Sequence, residues 1–144
     1  MRAMLTLIPE SWHLRILSLH DYHGWTVLHN VAHSGKVEFI KLILDFYPET
    51  ERLRAVDETC YLGTVLHCAA WSGNFESIET ILTLYPESER LQTLDRTNRH
   101  GDTALHLLAI SNNIECIKAV LSLYPEVERL EVVNRQNQRG STVL

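Results

Sequence analysis

The chain has 144 residues, 13 basic and 18 acidic for a formal net charge of −5, and 45% of its residues are apolar. That length fits one domain with a sizeable core, and the composition is that of a folded soluble chain rather than a disordered one. The acidic balance argues against nucleic acid or an anionic membrane as partner, since both need clustered Lys and Arg. No stretch approaches the ~18 consecutive apolar residues of a membrane span, and Met1 to Leu14 lacks a basic-then-apolar signal pattern.

Taken in chain order, residues 1–20 read as the second helix and linker of a partial unit. Their Leu5-Thr6-Leu7-Ile8-Pro9-Glu10-Ser11 lines up with Leu82-Thr83-Leu84-Tyr85-Pro86-Glu87-Ser88. Residues 21–58 open on the turn Asp21-Tyr22-His23-Gly24, continue through Thr26-Val27-Leu28-His29, break at Ser34-Gly35-Lys36 and reach Tyr47-Pro48-Glu49. Residues 59–97 repeat that plan one residue short, with Gly63 directly before Thr64, so that turn is expected to differ in shape.

Residues 98–136 show the unit most plainly. Asn98 and Gly101 are turn residues, Gly supplying a positive φ. Thr103 stands where an N-cap is wanted, with Leu105, Leu108 and Ala109 at helical spacing behind it. Ser111-Asn112-Asn113 breaks the helix, and Ile114, Ile117, Val120 and Leu121 then share one face of a second. Pro125 stops it. Residues 137–144 begin a truncated unit that ends at Thr142-Val143-Leu144.

Two phrases keep step along the chain. Thr-(Val/Ala)-Leu occurs at Thr26, Thr64, Thr103 and Thr142, at intervals of 38, 39 and 39 residues, and Tyr-Pro-Glu recurs at Tyr47, Tyr85 and Tyr124. Self-similarity at such a period marks a solenoid. Neither helix of a unit can bury its apolar stripe alone, so the units must stack into one continuous core. The expected fold is all-α, an α-solenoid of helix-turn-helix repeats with extended inter-repeat loops.

The phrases Thr26-Val27-Leu28-His29-Asn30-Val31-Ala32, Thr64-Val65-Leu66-His67-Cys68-Ala69-Ala70 and Thr103-Ala104-Leu105-His106-Leu107-Leu108-Ala109 resemble the T-P-L-H-x-A signature of ankyrin repeats, whose period is about 33 residues. The resemblance covers nearly all of the chain from Asp21 onward. A HEAT-like repeat of ~40 residues is the rival by period; the T-x-L-H phrase and the Gly-containing break favour ankyrin. The chain departs from the signature by Val or Ala in place of Pro, and by five or six added residues in Tyr-Pro-Glu-x-Glu-Arg-Leu. Pro at a first helical position followed by Glu predicts a small extra helix or 3₁₀ turn there. Long-linker repeats of this kind look similar to ankyrin arrays in effector proteins of intracellular bacteria.

Eight histidines invite a metal or catalytic reading. His29, His67 and His106 share one motif position beside Thr26, Thr64 and Thr103, and the resemblance implies a structural role for them, bonding backbone in their own and the neighbouring turn. No HExxH or His/Cys spacing supports zinc. His67-Cys68 is no Cys–His nucleophile, because adjacent residues on a helix point about 100° apart and no orienting carboxylate accompanies them. Cys60, Cys68 and Cys116 are an odd set without CxxC spacing, read most simply as free thiols in a reducing cytosol. Glu49/Glu51, Glu87/Glu89 and Glu126/Glu128 recur beside Arg52, Arg90 and Arg129, the pattern of helix-start charges and local ion pairs on a solvated face.

What the resemblance implies about binding is a concave face built from turn tips (fingers) and first helices (palm). The matching finger positions are Tyr22, His23, Trp25 and Tyr61, then Arg99, His100 and Asp102. The palm positions are His33, Trp71 and Ile110, with Ser34, Ser72 and Ser111, and Gln138, Arg139 and Ser141 extend the fingers. Tyr, Trp and Arg are the residue types enriched at interface hot spots; Trp25 and Trp71 read equally as padding between repeats.

The expectation is therefore a non-catalytic protein–protein interaction module without cofactor, taking a protein partner through that face. It is placed in the cytoplasm, or in the host cytosol if it is a secreted effector. The alternative is the substrate-targeting segment of a larger enzyme or secreted effector whose chemistry lies outside this chain. Leu5, Leu7 and Ile8 at an uncapped end add an expected end-to-end self-contact or further repeats.

Overall fold

Thr26, Thr64 and Thr103 each start a helix, and the same device does it each time. The Thr side chain accepts from the backbone N–H three residues on, while the His at that position accepts from the Thr backbone N–H, a capping box with His in the place of the usual Glu. These helices are α2 (Val27–His33), α5 (Val65–Ser72) and α8 (Ala104–Ser111). The computed structural model describes residues 6–144; Leu5 and the start of the expected 1–20 partial unit lie outside it. What precedes α2 is a helix α1 (Glu10–Leu17) that follows Pro9.

The first helices form the inner layer, α2 packing on α5 and α5 on α8. In α5 every residue from Val65 to Ala70 is buried, as expected of a helix covered on all sides. Ala69 and Ala70 are wholly enclosed there, their small side chains permitting close approach. The second helices, α3 (Val37–Asp45), α6 (Phe75–Leu82) and α9 (Ile114–Leu121), form the next layer. They bury Ile40, Ile43 and Leu44, then Ile78, Ile81 and Leu82, then Ile117 and Val120, the i, i+3, i+4 stripe of an amphipathic helix.

Asparagine links one unit to the next at this level. Asn74 and Asn113 cap α6 and α9 by accepting from Ser77 N and Cys116 N at 3.2 and 3.1 Å. The same side chains donate Nδ2–H to Gly35 O and Gly73 O of the preceding unit, at 2.9 and 2.8 Å. Gly73 also lies close against the next unit: it has φ +70°, and a Cβ there would come 2.7 Å from Ser111 Oγ.

The Tyr-Pro-Glu segments are larger than a small turn. They form α4 (Glu49–Asp57) and α10 (Glu126–Asn134), nine residues each, and in the middle unit a 3₁₀ turn (Glu87–Glu89) leading into α7 (Arg90–Leu94). The middle segment is the least regular, and in it Thr93 Oγ1 donates to Glu89 O at 2.9 Å, a back-bond that competes with the helix ladder. The prolines occupy the N-cap rather than the first helical position, with ψ near 140°. Each carbonyl accepts from the third residue on, for example Glu51 N to Pro48 O at 2.8 Å. Nor do the recurring arginines pair chiefly with the neighbouring Glu. Arg52, Arg90 and Arg129 turn back and donate Nε–H to the carbonyls of Tyr47, Tyr85 and Tyr124 at 3.3, 3.2 and 3.1 Å.

One apolar cluster runs from Leu17 to Val143 through all layers. The turns preceding α2 and α8 are alike, each closed by an Asx side chain. Asp21 Oδ1 accepts from His23 N and Trp25 N at 2.8 and 2.9 Å, and Asn98 Oδ1 from His100 N and Asp102 N at 2.9 and 3.0 Å. The turn before α5 lacks that side chain and is instead a two-residue hairpin. In it β1 (Thr59–Cys60) pairs antiparallel with β2 (Gly63–Thr64), Thr59 opposite Thr64 and Cys60 opposite Gly63.

Candidate functional site

The turns are tied to one another as well as to their own helices, so the tips form a rigid row. Tyr61 N donates to His23 O at 3.1 Å and Gln138 N to His100 O at 3.1 Å. Asn98 Nδ2 donates to Leu62 O at 2.9 Å. Behind the tips the three motif histidines join each capping box to the next unit: Nε2 lies 2.9 Å from Glu58 O in His29, 3.1 Å from Arg96 O in His67 and 3.0 Å from Arg135 O in His106. With Nδ1 accepting from the Thr backbone N–H, Nε2 must carry the proton, and the neutral tautomer follows. Burial holds His67 below its ordinary pKa of 6.5, against weaker opposing pulls from the Arg96 carbonyl and Asp102.

The palm carries a ladder of rings. Trp25 meets His33 edge-on at 5.1 Å, and His33 stacks on Trp71 at 6.1 Å with 19° between planes. Both tryptophans are half-buried and pack on the core. Each also borders a hollow, Trp25 the first and Trp71 the second. The first hollow, about 460 Å³, is bounded by Asp21, His23, Trp25, Asn30, His33 and Tyr61. The second, about 490 Å³, includes Tyr61, Leu62, Trp71, His100, Ile110 and Arg139 in its walls. Tyr61 stands on the ridge between them, 45% exposed, with the Arg99 guanidinium 4.0 Å from its ring and His100 at 5.5 Å. Ile110 is 59% exposed.

Two of the expected finger residues border the ridge and also make contacts of their own: Asp102 lines the second hollow, and the Arg99 guanidinium lies against Tyr61. Asp102 is buried, and accepts from Asn137 Nδ2 at 2.7 Å, so it holds the following turn rather than presenting a carboxylate. Arg99 also borders a third hollow, beside Thr59, Cys60 and Gly63 of the hairpin. Tyr22 is 98% exposed at its tip, lining neither concave hollow and touching His23 edge-on at 5.4 Å. Asn30 and Leu62 do line the face and were not expected to. The spacing that placed His33 on the palm would have found Asn30, one turn before it on the same helix.

Among the described residues, no group of three or more His, Cys, Asp or Glu is arranged to hold a metal ion, and no helix is long and apolar enough to cross a membrane. What the arrangement offers is a rigid, ring-lined trough rimmed by Arg and His donors. A family model described as ankyrin repeats, in three copies, matches residues 6–90, and one described as a single ankyrin repeat matches residues 100–127. No curated protein matches the chain.

Proposed function

The chain belongs to the ankyrin-repeat family, and from that premise we propose that its concave face takes a protein partner across the two hollows on either side of Tyr61. Ankyrin repeats are generally protein–protein interaction modules, typically non-catalytic. The observation that carries the reading is the row formed by Trp25, His33, Trp71 and Tyr61. These rings are held in place by backbone and core contacts yet border the trough. Rings already fixed lose little conformational freedom on binding, which is how anchoring residues gain affinity. Ile110 adds an exposed apolar contact at the far wall, and Arg139 a donor at the rim.

Affinity capture from a cytosolic lysate tests it, with wild type beside Ile110→Asp, Tyr61→Ala and the control Glu87→Lys, in the 3₁₀ turn before α7. Both concave-face variants should lose the proteins that wild type retains, with unchanged circular dichroism, while Glu87→Lys keeps them. Equal retention by Ile110→Asp and Tyr61→Ala overturns the proposal.

A further inference from the structure

The hairpin that replaces the Asx turn in the second repeat brings two thiols together. Cys60, on β1, takes the place held by Tyr22 and Arg99 in the flanking repeats, and Cys68, on α5, that of Asn30 and Leu107. Their Sγ atoms lie 3.6 Å apart, and both thiols are free. Cys68 is wholly buried. Cys60 is half-buried and borders an open hollow of about 580 Å³ whose walls include Arg96, Arg99 and Thr97. A small polar oxidant that enters this hollow thus meets the half-buried Cys60, with the buried Cys68 sulfur 3.6 Å from its own.

We propose that Cys60 and Cys68 are a redox-modification site at which a peroxide oxidises Cys60 and Cys68 resolves the product as an intramolecular disulfide, fastening the hairpin to α5. The hydrogen bond with Cys68, with a smaller contribution from the neighbouring His29 ring, holds the Cys60 thiol well below the usual range. The same bond, with burial, pushes Cys68 up. The lowered thiol is the one that borders the hollow, which favours Cys60 over the buried Cys68 as the nucleophile. Its electron pair attacks one peroxide oxygen: an S–O bond forms, the O–O bond breaks, and the departing hydroxide takes up a proton and leaves as water. Cys68 sulfur then attacks Cys60 sulfur, an S–S bond forms, the S–O bond breaks, and a second water leaves with the Cys68 proton. Two sulfurs are oxidised, and one peroxide is reduced to two waters. Disulfides of this kind in reducing compartments are transient and sensory rather than structural. Because Tyr61 is the next residue after Cys60, closing the bond also draws on the ridge of the concave face.

The test uses the reduced full chain with stoichiometric hydrogen peroxide at neutral pH. Residues 55–90 form one tryptic peptide carrying both sulfurs, with Cys116 elsewhere as an internal control. Two of the three thiols should disappear, with that peptide lighter by two hydrogens and restored by dithiothreitol, and with Cys60 consumed about tenfold faster than Cys116. Cys68→Ser, which keeps a hydrogen-bond donor beside Cys60 but cannot resolve, should leave Cys60 trapped as a sulfenic acid that captures dimedone, and Cys60→Ser should leave Cys68 untouched. A wild-type peptide that gains oxygen while Cys68 stays free overturns the proposal. So does consumption of Cys60 no faster than of Cys116, a result that needs no variant to fold.

Discussion

The Tyr124 hydroxyl donates to the Asp95 carboxylate at 2.9 Å across the junction between consecutive repeats. Asp95 also holds Arg135 Nη1 at 2.7 Å. One repeat earlier Tyr85 donates to Asp57, which Arg96 holds at 2.7 Å. At the N-terminal end, where Ser18 stands at the aspartate's position, Tyr47 donates instead to Leu17 O at 3.1 Å. Burial, reinforced by the facing carboxylate, pushes the Tyr124 hydroxyl above its ordinary pKa. Tyr124→Phe keeps the ring in the core and removes only this donor. It should destabilise the fold by about 1–2 kcal/mol in urea melts; no loss would mean that water replaces the bond without penalty.

Gly63 is the tightest point of the hairpin. Its φ is +122°, and a Cβ there would lie 2.7 Å from Cγ of His67 and 2.8 Å from Nδ1. Both the backbone angle and the ring that holds the next repeat are then disturbed. Gly63→Ala should cost about 2–4 kcal/mol, read as a lower denaturation midpoint with a near-native denaturant slope.

The first and second helices were legible because their signals are local. Thr-x-Leu-His contains its own capping box, and the apolar stripes of α3, α6 and α9 lie within single turns. The length of α4 and α10 was hidden because their sequences are mostly polar, with only Ala55 and Val56 or Val132 buried; packing against the stack sustains them, not an amphipathic pattern. Asp102 reads as a finger tip until Asn137, 35 residues on, is seen to cover it. The His33 ring, packed between Trp25 and Trp71, joins side chains from two repeats, and motif position alone does not encode that pairing.

Ser77 lies on α6 with no exposure, and its hydroxyl has no hydrogen-bond partner among the described residues. Its backbone N–H, by contrast, is used by the Asn74 cap. An unpaired buried hydroxyl is a net penalty that alanine removes without opening a large cavity, and alanine is also the better helix former. Ser77→Ala should therefore stabilise the protein by about 1 kcal/mol, raising the melting temperature by about 3 °C. A drop in stability would reveal a partner for the hydroxyl.

His67 gives stability a pH dependence of defined sign. Burial lowers its folded-state pKa below the 6.5 of the exposed ring. At pH above 6.5 both folded and unfolded forms are neutral and the contribution is complete. Below that value the unfolded chain takes up the proton first, so stability falls as pH drops, and it levels off only once the folded form is protonated as well. Melting temperatures measured between about pH 7.5 and pH 5.5 should decline, before most carboxylates begin to titrate. His67→Gln keeps a side-chain N–H for the Arg96 carbonyl but cannot titrate, so it should start less stable and lose less over the same interval. Parallel declines in the two proteins would assign the acid sensitivity to other groups.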